Sequence, residues 1–175
     1  MKTKTINTYS YSELTGRAKD KAREWLSLGG PDYWENANED ANSIGLKITE
    51  SDVDRNRHAK GHFIRSPEEC AQKITEEHGD TCETFKTASA YLLAVKALGD
   101  RQENGYTCPA GDYDYAKPEA WETARASLDD DFLKDVLEDY SMLIQRDYEY
   151  SYSEECCSEN AEANEYQFDE NGRIA

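Results

Sequence analysis

Seven apolar residues, Phe132, Leu133, Val136, Leu137, Tyr140, Leu143 and Ile144, recur at helical spacing inside the most acidic stretch of the chain. Steps of three and four put them on one face of an α-helix, where a strand would demand strict alternation. Asp129, Asp130, Asp131, Asp135, Glu138 and Asp139 must then lie on or beside the other faces. This segment has to pack one side against apolar partners while it presents carboxylates to water. From Ser127 to Ala175 there are 15 Asp and Glu against Lys134, Arg146 and Arg173, which is −12 of the formal net charge of −17. The first 126 residues, with 22 acids and 17 bases, are close to balanced. An ordered acidic face repels nucleic acid and anionic membranes and attracts basic protein surfaces.

A chain of 175 residues is long enough to bury a core and is expected to form a single α+β domain, 1–175, with an acidic helical C-terminal third at 127–165. Its 37% hydrophobic content with 12 tyrosines implies a thin core, and a mean hydropathy of −0.96 implies modest stability. Met1-Lys2-Thr3-Lys4-Thr5 lacks the apolar run of a secretory leader, and no run approaches the ~20 apolar residues of a membrane span. The five cysteines, Cys70, Cys82, Cys108, Cys156 and Cys157, follow no repeating spacing. Reduced thiols in a cytosolic protein are the expectation.

Along the chain, Thr3 to Tyr9 reads as a short strand. Ser10-Tyr11-Ser12-Glu13 forms a capping box before a helix carrying Leu14, Ala18, Ala22, Trp25 and Leu26. Gly29-Gly30-Pro31 separates it from a second helix with Trp34, Ala37, Ala41 and Ile44, stopped at Gly45. Leu46 to Thr49 and Gly61 to Arg65 read as strands joined by the polar Asp52 to Lys60. Ser66-Pro67-Glu68-Glu69 opens a short helix that ends near Gly79. The next holds Phe85, Ala88, Leu92, Val95 and Leu98 and is capped by Gly99. Asp100 to Lys117 is a long loop suited to binding. Pro118 starts a short helix through Ala124, and Asp129 to Asp131 open the acidic helix at its positive end. Ser153 starts a further helix, Glu165 to Phe168 alternates as a final strand, and Asn171-Gly172 marks a turn. The sum is about six helices packed on a small, mostly antiparallel sheet that includes N- and C-terminal strands.

Thr8-Tyr9-Ser10-Tyr11-Ser12-Glu13-Leu14, followed by Ala18-Lys19-Asp20-Lys21-Ala22 and Trp25, resembles the opening of a family of phage and prophage proteins. Asp147-Tyr148-Glu149-Tyr150, Ser153-Glu154-Glu155, Ala163 to Phe168 and Asn171-Gly172 resemble its end, and Cys108-Pro109 with Gly111 its central loop. Members of that family are commonly labelled antitoxins of a toxin–antitoxin stability system. The departures are the Cys156-Cys157 pair, the polar stretch from Arg55 to Lys60 and a more acidic tail. The resemblance implies a small phage protein acting in the cytoplasm of a bacterial host and supplies no catalytic residues.

No phosphate loop, paired-glycine nucleotide loop or nucleophile elbow occurs, so an enzyme is not expected. Cys70, His78 and Cys82 lack the spacing of a zinc site, and Cys70 and Cys82 read as small core residues of neighbouring helices. Cys156-Cys157 has only Glu154, Glu155 and Glu159 nearby, which disfavour a reactive thiolate, so one should face the core and the other solvent. Asp129 to Asp131 lacks the glycine turn and further ligands of a calcium loop. No metal and no cofactor are therefore expected.

Tyr148, Tyr150, Tyr152 and Tyr166 have two readings, packing of the C-terminal segment or contact with a partner. The acid excess also has two, solubility or mimicry of the DNA charge array. The expected function is a non-enzymatic, phage-encoded inhibitor that blocks a bacterial defence protein, as an anti-CRISPR or anti-restriction protein does. Its partner surface would comprise Asp129, Asp130, Asp131, Asp135, Glu138, Asp139, Asp147, Tyr148, Glu149, Tyr150, Tyr152, Glu154 and Glu155. The expected partner is a host protein with a basic surface (a CRISPR effector, a restriction enzyme or a toxin), without direct nucleic-acid or membrane contact. The alternative is an antitoxin that neutralises its toxin by direct binding. An antitoxin that instead regulates transcription would need a basic helix or strand to bind DNA, for which Arg55, Arg57, His58, Lys60 and Arg65 are the candidate, small against the total charge.

Overall fold

The computed structural model describes residues 7–28, 33–53, 57–103 and 117–175. Six α-helices and one two-stranded antiparallel sheet make it an α+β protein. In chain order these are α1 (Gly16–Leu28), α2 (Tyr33–Ile44), β1 (Leu46–Asp52), β2 (His58–Phe63), α3 (Pro67–Glu77), α4 (Glu83–Glu103), α5 (Pro118–Ser151) and α6 (Glu154–Ala163). They fall into two compact units, Glu35–Leu143 and a second that unites Met1–Trp34 with Ile144–Ala175.

The Glu35–Leu143 unit holds the hairpin. β1 and β2 pair from Leu46 opposite Phe63 to Asp52 opposite His58, with an irregularity between Ile48 and Glu50. The hairpin reaches further into the connection than the sequence implies, with His58 and Lys60 in β2, while β2 ends at Phe63 and leaves out Ile64 and Arg65 of the expected strand. Alternation holds where it matters, since Leu46 and Ile48 are buried and Lys47 and Thr49 exposed. Gly45 joins α2 to β1 at φ +94°, a conformation that glycine adopts without strain, and its carbonyl accepts from Ile64 N at 2.8 Å. Phe132 of α5 lies between two aromatic rings, stacked on Tyr91 at 4.3 Å and on Phe63 at 5.3 Å between centroids. Ala37, Ala41, Ile44, Cys70, Ala71 and Ile74 complete a core of small and branched side chains.

Two boundaries depart from expectation. Gly99 does not cap α4, which continues through it to Glu103. Pro118 to Ser151 is a single helix of 34 residues, so Asp129 to Asp131 lie inside α5 and not at a helix N-terminus. Ser127 and the Asp triplet read as a start signal. Yet no breaker separates them from Trp121 and Ala124, and Leu128 continues the apolar face.

In the unit of Met1–Trp34 and Ile144–Ala175, the capping box closes a 3-10 turn, Tyr11–Glu13, and α1 starts only at Gly16. The Glu13 carboxylate accepts from the Ser10 backbone N–H at 2.7 Å and from its hydroxyl at 2.9 Å. Tyr11, Leu14, Ala22, Leu26, Cys157, Ala161 and Phe168 form the core. Terminal strands are absent among the described residues. Tyr9 and Phe168 instead form an isolated bridge, with N–H to carbonyl distances of 2.8 Å both ways, and Phe168 bridges Ile174. Residues 3–6 of the expected first strand lie outside the described residues. The Asn171-Gly172 turn is present, with Gly172 at φ +74°. Gly29-Gly30-Pro31, Arg55 and the Cys108-Pro109 loop also lie outside them.

Candidate functional site

Within Glu35–Leu143, α5 divides its carboxylates between internal bonds and solvent. Asp129 is half-buried, and its Oδ1 accepts from the Tyr91 hydroxyl at 2.6 Å and from Arg125 Nε at 2.9 Å. Arg125 also reaches Glu68 of α3 at 3.1 Å, so Asp129 belongs to a structural network that joins three helices. Asp139 accepts from Thr87 Oγ1 at 2.7 Å. Burial pushes its pKa up, with Glu83, Asp135 and Glu138 adding to the rise and the Thr87 bond opposing it. Glu138 is exposed but ion-paired with Arg57 beside β2.

Asp130, Asp131 and Asp135 remain. All three are exposed and make no ion pair with the described residues. Asp131, Asp135 and Glu138 follow one another at helical steps of four and three, covering about 10 Å of axis. One DNA strand carries a charge about every 3.4 Å and the duplex about every 1.7 Å. Three carboxylates over that length approach the density of one strand, but the Arg57–Glu138 ion pair and Lys134 in the same stretch lower it.

The remaining predicted residues lie in the other unit. Glu154 is an internal brace: the first turn of α6 is tied to α1 by ion pairs with Lys19 and, at 2.6 Å, Arg23. The Tyr11 hydroxyl donates to it at 3.1 Å. These contacts hold the Glu154 carboxyl below the usual range, the Lys19 bond foremost. Glu149 accepts from Gln145 at 2.8 Å, and Asp147 lies 3.8 Å from Arg146. Glu155 is exposed on α6. Tyr148 is half-buried and tilted against Tyr152, with ring centroids 4.9 Å apart. Tyr150 is 50% exposed and Tyr152 36%, whereas Tyr166 packs edge-on against Trp25 at 5.0 Å. Tyr166 is thus a packing residue, and Tyr150 and Tyr152 stand at the surface. The Tyr150 hydroxyl is held protonated to higher pH, chiefly by the charge of Glu159.

The thiols divide. Cys70 is buried, with Sγ 3.3 Å from the Gly45 carbonyl, but Cys82 is exposed, which corrects its core assignment. Cys157 is buried and Cys156 half-buried, and burial raises both pKa values. Among the described residues no group of three or more His, Cys, Asp and Glu could hold a metal, and no helix is long and apolar enough to cross a membrane.

One constellation escaped sequence reasoning. His78 Nδ1 lies 2.7 Å from Thr84 Oγ1, and its Nε2 is 3.4 Å from Asp40 Oδ1, close enough for ion pairing but outside hydrogen-bond geometry. Asp40 Oδ2 accepts from the buried Tyr140 hydroxyl at 2.6 Å. The Asp40 contact raises the His78 pKa against the opposing effect of burial, and the same contact lowers that of Asp40. Asp40 is 38 residues from His78 and 100 from Tyr140, so no local spacing announces the cluster. The chain matches no protein-family model, and neither curated proteins nor solved structures give a match.

Proposed function

We propose that this protein is a phage-encoded binding inhibitor without catalytic activity, and that it occupies the basic, nucleic-acid-handling surface of a bacterial defence protein. The observation that carries this reading is the set of exposed acids Asp130, Asp131 and Asp135, fixed on a long helix without ion partners among the described residues. Unpaired carboxylates on a rigid element attract a basic surface with little ordering cost. Their spacing favours competition for a basic groove over a faithful copy of duplex DNA.

Direct DNA binding, as in an operator-binding antitoxin, has less support. Of the described basic patch, Arg57 pairs with Glu138, and His58 and Lys60 lie 3.2 and 2.9 Å from Glu50. A CRISPR effector or a restriction enzyme is the class of partner that fits. Affinity capture from bacterial lysate tests this: retention of a nucleic-acid-handling complex that free DNA displaces is expected. Capture of metabolic enzymes alone, or a mobility shift of DNA by this protein at physiological salt, would overturn it.

A further inference from the structure

β2 and α5 line an open groove of about 590 Å³ whose apolar lining is Ala59, Gly61, Leu133 and Leu137. We infer that this groove seats an aliphatic side chain from a partner segment in which leucine-like residues are flanked by arginine or lysine. The inference rests on the acidic-face reading and gives it a location. A Cβ on Gly61 would come within 2.3 Å of the Lys47 carbonyl and 3.1 Å of Leu137 Cδ2. Glycine therefore permits the close approach of β2 to the β1 backbone and to Leu137 of α5, and position 61 places no side chain in the groove.

The rim supplies the charge. Glu138 is taken by Arg57 and Lys60 by Glu50, while Asp130, Asp135 and Lys134 make no ion pair with the described residues. The unmatched charge is net negative, and Asp131 beside it adds to the excess. Carboxylates alone would attract any polycation, weakly and in no fixed position. An apolar lining beside them adds a short-range attraction that salt does not screen, which selects a segment both basic and aliphatic.

The test uses the full isotope-labelled chain and two synthetic helical peptides, one of alternating leucine and arginine character and one with glutamine in place of leucine. At about 200 mM salt, where exposed charges are strongly screened, the leucine peptide should bind at least about tenfold tighter, a factor equal to ~1.4 kcal/mol. Its amide shift changes should centre on residues 58–61 and 130–138. Leu133→Asp should weaken that peptide about tenfold although it adds negative charge, and Ala59→Gln should do the same by filling the groove with no change of charge. If the peptides bind equally along the acidic helix, the groove is refuted and the acidic-face reading survives. If neither binds, both fall. Concentration-dependent shifts of the same amides without peptide would mark a second copy as the occupant and overturn the proposal. The comparison between peptides needs no variant, so a poorly folding Leu133→Asp leaves it intact.

Discussion

Asp40 ties three parts of its unit together, from a helix whose sequence signal is the apolar set Trp34, Ala37, Ala41 and Ile44 and gives no sign of the partners Asp40 finds. Its carboxylate accepts from Tyr140 and faces the His78 imidazole, which Glu77 also polarises and Thr84 bonds from the far side. The raised His78 pKa stabilises the fold fully below about pH 6.5 and loses effect as pH climbs through the folded value. The lowered Asp40 pKa stabilises above about pH 3.9 and loses effect as pH falls through its folded value. Asp40→Asn should therefore cost most between those limits, by about 0.5–1 kcal/mol given that Asp40 is nearly half exposed. Urea unfolding of both proteins across that range checks this, and a pH-independent difference would contradict it. Gly172→Ala makes a sharper demand, because a Cβ there would lie 1.9 Å from the Ala18 carbonyl oxygen at φ +74°. A loss of at least about 2 kcal/mol is expected in thermal unfolding, from strain and displacement together.

At the scale of the element, α5 decides how the acids are presented. As an interior position of one helix, Ser127 should tolerate glycine poorly, with Ser127→Gly costing about 0.5 kcal/mol or more. At a helix cap the same change would cost only a few tenths, so denaturant unfolding distinguishes the two architectures. Ser153 is a true N-cap: its hydroxyl accepts from Cys156 N at 3.1 Å, and Ser153→Ala should cost about 1 kcal/mol.

Periodic features were legible in the sequence. The stripe Phe132, Val136, Leu137, Tyr140 and Ile144 is buried, β1 alternates, and Ser66 and Ser153 start helices where they should. Boundaries were less so, because Ser127 and Asp129 carry the chemistry of a cap without a breaker to enforce one. At the chain ends, among the described residues, a single bridge between Tyr9 and Phe168 stands where the alternation suggests a ladder, because one bridge and a ladder leave the same pattern. Of the acidic site, the residue types were legible but their availability was not. Asp129, Asp139 and Glu154 are spent on Tyr91, Thr87 and Lys19, partners 38, 52 and 135 positions away that no spacing rule reaches.

For the whole molecule, a net charge of −17 makes self-repulsion a standing cost of folding. Screening should raise the thermal midpoint by about 2–4 °C between about 10 and about 200 mM salt, equivalent to ~1 kcal/mol. A fall would mean that ion pairs such as Lys19–Glu154 outweigh the repulsion. The proposed working surface for a basic, nucleic-acid-handling partner is Asp130, Asp131 and Asp135 of α5, which make no ion pair with the described residues. Its most direct test is capture from bacterial lysate on the intact protein and on the triple variant Asp130→Asn, Asp131→Asn, Asp135→Asn, with and without excess DNA. A retained nucleic-acid-handling protein that DNA displaces and the triple variant fails to hold is the expected result. Retention unchanged by both DNA and the three substitutions would contradict it.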